Sequence, residues 1–141
     1  MKKLIGAIVA ALVILFAAGF LVHDVWLGTT YREMREAGFS FRPEEAMRHR
    51  FWLICVSDAL YAIFFVWVYA KGREEKPWVG QGIRYGVMTL FTVVPSTIND
   101  YVAYNPPHTL VLHWTIAGLI ALILTGLAAA AILRKSSAGQ A

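Results

Sequence analysis

Residues 93–104 read VVPSTINDYVAY and pass directly into NPPHTLVLHW, residues 105–114. The first string closes one long apolar run, and the second leads into another. If these runs cross a bilayer, an ionisable residue, Asp100, lies inside one of them beside Asn99. An aspartate near the bilayer centre costs about 2.5–3.5 kcal/mol on insertion scales, and less towards an interface. The fold therefore turns on whether the runs are spans, and the function on how deep the aspartate sits.

Working outward, the chain contains four such runs: Leu4 to Leu27, Phe51 to Ala70, Ile83 to Tyr104 and Thr109 to Leu133. Each approaches the ~20 residues that a membrane helix needs. They account for a composition that is 58% hydrophobic and only 16% charged, with a mean hydropathy of +0.57. A soluble domain carries about 25% charged residues. Little of the 141-residue chain remains outside the runs, so we expect one domain and no separate soluble module. The expected fold class is all-α: an integral membrane four-helix bundle with a short helical outer loop between the first two spans.

Lysine and arginine assign the sides. Lys2, Lys3, Lys71, Arg73, Lys76, Arg84, Arg134 and Lys135 fall on one face, and all the lysines are among them. Arg32, Arg35, Arg42, Arg48 and Arg50 fall on the other, interleaved with Glu33, Glu36, Glu44 and Glu45. The lysine-bearing face is expected to be cytoplasmic, with both termini there. Trp26, Trp52 and Trp114 then mark the outer interface, and Trp67 and Trp78 the inner one. The start, MKKLIGAIVAALVILFAAG, has the features of a signal peptide, but the apolar run continues to Leu27, so a retained first span is the expectation. The pI of about 9.4 does not point to nucleic acid, because the basic residues flank spans and form no patch. Cys55 is the single cysteine and lies in an apolar run, where it reads as a small buried thiol.

In the outer loop, TTYREMREAG (29–38) reads as a helix with Thr30 as its cap and Gly38 as its stop. FRPEEAMRHR (41–50) reads as a second helix with Pro43 in its first turn, continuing unbroken into the second span. In AKGREEKPWVGQG (70–82), Gly72 is the expected helix stop and Pro77 opens the next segment. The glycines there lack the spacing and the Lys-Ser/Thr ending of a phosphate-binding loop. FRPEEAM and KGREEKPWVGQGIRYG, with the length and span count, resemble a family of small four-helix bacterial inner-membrane proteins without an established activity. The resemblance implies the membrane class and location and carries no catalytic residue over.

The acids divide unevenly. All six glutamates lie in loops, whereas Asp24, Asp58 and Asp100 lie in apolar runs. At ~1.5 Å per residue all three fall within roughly 5–11 Å of the outer boundary. His23, Asn99 and His113 fall at the same level, and His108 slightly shallower. On the third run Gly82, Gly86, Thr89, Val93, Ser96 and Asp100 recur at alternating spacings of four and three, a stripe of small or polar residues. Such stripes mark helix contacts, because lipid offers polar groups no partner, so Asp100 is expected to face protein.

His23, Asp58, Asp100 and His113 are thus expected to converge beneath the outer loop with Asp24 at the rim, paired among themselves or with arginines from Arg48 to Arg50. His23, Asp24, Asp58, Asn99, Asp100 and His113 are the expected ligand-binding residues. Carboxylates with imidazoles would suit a proton, a cation or a small ligand and respond to mild acidity. The absence of a nucleophile–base pattern makes a non-enzymatic role the expectation. Two other readings stand beside it. One is an accessory subunit, self-associated as a homo-oligomer or built into a larger membrane complex. The other is a metal or haem redox protein using His23, Asp58, Asp100 and His113, although no spaced ligand motif names a cofactor.

Overall fold

The computed structural model describes residues 1–134; Lys135 lies outside the described residues. Every regular element among them is helical. Helix α1 (Lys2–Phe20) widens into a π-helical turn (Leu21–Trp26), followed by α2 (Gly28–Glu36), α3 (Glu44–Arg48), α4 (Phe51–Gly72), α5 (Trp78–Tyr104) and α6 (His108–Leu133). Lys2–Trp26, Phe51–Gly72 and His108–Leu133 are each long and apolar enough to cross a membrane.

Helix α6 is central and packs along both α5 and α1, while α4 lies mainly against α1 and also touches α6. Small residues permit this. Ala7, Ala11, Ala62, Ala129 and Ala130 are buried in the core around Phe65, Val66 and Leu122, and short side chains let helix backbones approach. The contact between α5 and α6 is closer still. A Cβ added at Gly82 would stand 2.8 Å from the Gly126 carbonyl oxygen, and one at Gly86 would stand 2.6 Å from that of Leu122. The lower half of the stripe is therefore a backbone-to-backbone crossing that only glycine admits. Helices α4 and α5 join through a tyrosine: Tyr85 donates to the Phe65 carbonyl at 2.7 Å and stacks edge-on against Phe65 and Tyr69.

The two ends of the molecule are distinct. At one, Lys3 donates to the Arg134 carbonyl at 3.3 Å, and Arg73 donates to that of Leu133, so basic side chains occupy the carbonyls left over where α6 ends. Buried Gln81 ties the neighbouring turn, accepting from the Glu74 N–H at 2.8 Å and donating to the carbonyls of Glu74 and Lys76. The other end carries α2, α3 and the Asn105 turn, where Asn105 adopts φ 49°.

The outer loop is helical, with three differences from the sequence reading. Gly38 does stop α2: at φ +87° its N–H reaches Arg35 and that of Phe39 reaches Met34, a Schellman closure. Thr30, however, does not cap α2. The helix begins at Gly28, straight out of the π turn, so no separate helix start remains for a side chain to cap. Nor does α3 run on into α4. Arg50, at φ −105° and ψ 4°, breaks the path, and its guanidinium takes the Ala46 carbonyl at 3.1 Å. Pro43 precedes α3 as its cap and does not enter its first turn.

Candidate functional site

The widened turn at the end of α1 carries His23 and Asp24, and such π turns recur at functional sites. His23 Nδ1 lies 2.7 Å from the Tyr31 hydroxyl, with the two rings stacked at 5.9 Å. Trp114 Nε1 donates to the same hydroxyl oxygen at 2.7 Å. An indole N–H only donates. Tyr31 accepts from Trp114, and with the imidazole proton on Nε2 the Tyr31 hydroxyl donates in turn to His23 Nδ1. One chain of hydrogen bonds, Trp114 to Tyr31 to His23, thus ties α6, the outer loop and α1 together.

Beneath this chain Leu27, Met34 and Leu110 form a second, smaller core, flanked by Tyr31, Phe39, Phe41 and Trp114. Phe41 meets Tyr31 edge-on at 5.8 Å, and the Phe39 ring, tilted by 44°, lies 4.6 Å from that of Phe41. Burial pushes the Tyr31 hydroxyl above the usual phenol range; the Trp114 hydrogen bond opposes this, and the Asp24 charge adds to it.

A cavity of about 260 Å³ opens beside the chain. It is lined by Phe39, Ser40, Phe41 and Arg42 of the outer loop, Asp100 and Tyr104 of α5, Pro106, and Leu110 and Trp114 of α6. Trp114 belongs to both features. Arg42 and Asp100 form no ion pair with one another or with any described residue.

The six residues singled out in the sequence are distributed as follows. His23 enters the hydrogen-bonded chain, and Asp24, exposed, lies within electrostatic reach of His23 and Tyr31. His113 is half-buried against the Trp26 ring at 4.9 Å. Asp58 is half-buried on α4 and makes no hydrogen bond or ion pair with a described residue. Asn99 and Asp100 are exposed, Asp100 at the cavity wall.

Asp100 therefore does not pack into the helix contact. Its stripe spans eighteen residues, about five turns at ~3.6 residues per turn, and so keeps to one side of α5. That side meets α6 backbone at Gly82 and Gly86 but opens into the cavity at Asp100. The arginine that shares the cavity lining with Asp100 is Arg42, and Arg50 turns back onto the preceding helix. Among the described residues no three His, Cys, Asp or Glu side chains gather as a group that could hold a metal ion. His23 and His113 are engaged with different rings, Tyr31 and Trp26.

Sequence reasoning passed over Tyr31, Phe39, Phe41, Arg42 and Tyr104. The signal within reach was the FSFR string (39–42), aromatic residues in an otherwise charged loop. No protein-family model, curated protein or solved structure matches the chain.

Proposed function

We propose that the chain is a non-enzymatic four-span protein of the bacterial inner membrane, with cytoplasmic termini and an outer face that senses external protons. The fourth span would be α5. Ile83, Val87, Phe91, Ile98 and Val102 leave an apolar side of it bare, while Gly82 and Gly86 lie against α6. Lys2, Lys3, Lys71, Arg73, Lys76 and Arg84 at one end favour that end as cytoplasmic.

The observation that carries the sensing role is the Trp114–Tyr31–His23 chain. Neutral His23 accepts the Tyr31 proton. Protonation at Nδ1 places a donor where an acceptor stood, and Tyr31 then faces donors from both sides. The tie between α2 and the spans weakens as the outside acidifies.

The test is hydrogen exchange of residues 28–36 as pH falls from 8 to 5. Protection, corrected for the intrinsic pH dependence of exchange, should fall on acidification in the parent and be low at every pH in Tyr31→Phe. A pH-independent parent would sink the sensing role. Topology is tested separately, in a Cys55→Ser background: a cysteine at Ser40 should label from outside with an impermeant reagent, and one at Glu75 should not.

A subunit role is the second reading. Helix α4 buries only Ala62, Phe65, Val66 and Tyr69 among the described residues, and Asp58 has no described partner there. Native mass in mild detergent distinguishes a lone chain from an assembly.

A further inference from the structure

The outer cavity has a chemistry that the proton-sensing role does not use. Four aromatic residues from three segments line it: Phe39 and Phe41 from the loop, Tyr104 from α5 and Trp114 from α6. Asp100, a carboxylate, and Arg42, a guanidinium, line the same cavity, and neither is neutralised by a described residue. We propose that this cavity binds a small zwitterion bearing a methylated ammonium group, of the betaine or phosphocholine type.

Each feature selects one part of such a ligand. Aromatic faces attract cations through the ring quadrupole, and a quaternary ammonium suits them because it has no N–H to leave unsatisfied. Phe41 already has the Arg35 guanidinium 6.0 Å from its ring centre, so its surroundings accept positive charge. Asp100 supplies the counter-charge that a cage of rings lacks. Arg42 would repel a simple cation, which makes an attached acidic group the feature that turns its charge to advantage.

Size points the same way. The ~300–1,000 Å³ typical of drug-sized sites exceeds the cavity's volume of about 260 Å³, so the occupant is small or is one end of a larger molecule. A soluble osmolyte and a lipid head group present the same zwitterion. The apolar remainder of the lining, Leu110 and Pro106 with the rings, matches the methyl groups. This proposal does not rest on the His23 chain, although the two sites share Trp114.

Isothermal titration of the purified protein, in a detergent without choline groups, tests it. Glycine betaine and phosphocholine should bind saturably, at least about tenfold more tightly than choline, which lacks the acid, or phosphoethanolamine, which lacks the methyl groups. Asp100→Asn and Arg42→Gln should each weaken phosphocholine by about tenfold or more while leaving the pH response of residues 28–36 intact. Saturable binding of phosphatidylcholine in nanodiscs, with soluble phosphocholine inert, would support the lipid source. Binding of soluble phosphocholine would support the free one. The selectivity series on the parent needs no variant. Equal binding of phosphocholine and phosphoethanolamine, no saturable binding in either form, or parent-like binding by Asp100→Asn would overturn the proposal.

Discussion

The inner and outer halves of the same helix pair are built on opposite plans. Around Gly82, Gly86 and Gly126 the backbones of α5 and α6 touch, and buried Gln81 completes three hydrogen bonds to the adjoining turn. Around Asp100 and Trp114 the same two helices border a cavity with charged side chains at its wall. A close-packed crossing leaves no room for a ligand and tolerates no added atom. An open, polar end costs stability by forgoing contacts, and it keeps unpaired charge available. The contrast assigns holding the pair together to the inner half and places the chemistry in the outer half.

The comparison breaks most directly at the glycines. Gly86→Leu drives a side chain into the α6 backbone, where Ile123 and Leu122 cannot give way without separating the helices. We expect a loss at the upper end of the overpacking range, about 3 kcal/mol, read as a lower melting temperature in detergent. The same enlargement at the open end, Ser96→Leu, should change the melting temperature little, because Ser96 is exposed. Equal losses at both positions would erase the distinction between the halves.

Gln81→Leu comes next. It keeps the buried volume but strands the Glu74 N–H and the carbonyls of Glu74 and Lys76. Water reaches that turn, so the loss should be about 1–2 kcal/mol, with faster proteolysis between residues 73 and 77. Tyr85→Phe should cost less, about 0.6–1.7 kcal/mol, the range for hydrogen bonds inside membranes. It removes only the bond to the Phe65 carbonyl and keeps the ring contacts.

The inner half was far more legible in the sequence than the outer one, for a physical reason. Glycine spacing on α5 reports a contact directly, because no other residue type permits that approach. The helix limits at Gly38 and Gly72 were equally plain, since the breaker stands at the break. Position along a helix was also readable: His23 and Asp100 lie at the end that carries α2 and the Asn105 turn. Direction around the axis was not. Whether Asp100 meets a helix or a cavity depends on what Phe39 to Arg42 cover, and a charged loop with no period of its own does not declare its path. The same limit hid Tyr31, which reaches His23 only because the π turn leads directly into α2. It also concealed the break at Arg50, which arises from a side chain taking the Ala46 carbonyl.

The smallest effect we expect sharpens the comparison at the inner surface. Lys76 lies 2.5 Å from the Glu74 carboxylate and Arg84 3.3 Å from it. The hydrogen bond from Lys76, then its charge, and then the Arg84 charge hold the Glu74 carboxyl below the usual glutamate range. A carboxyl whose folded value is depressed adds stability above its unfolded value, and that stability is lost as pH falls through the folded value. Inner-end stability should therefore decline in mild to strong acid, below about pH 4.3, the ordinary glutamate value. Glu74→Gln should flatten the decline, and raising the salt should do the same, because exposed pairs are screened. The outer end should respond in a separate window, because the group that takes up the proton there is an imidazole and not a carboxylate. Following exchange at residues 73–77 and at residues 28–36 in one pH series separates the two. If both segments loosen together across a single transition, the halves are one cooperative unit, and the division of labour between them is wrong.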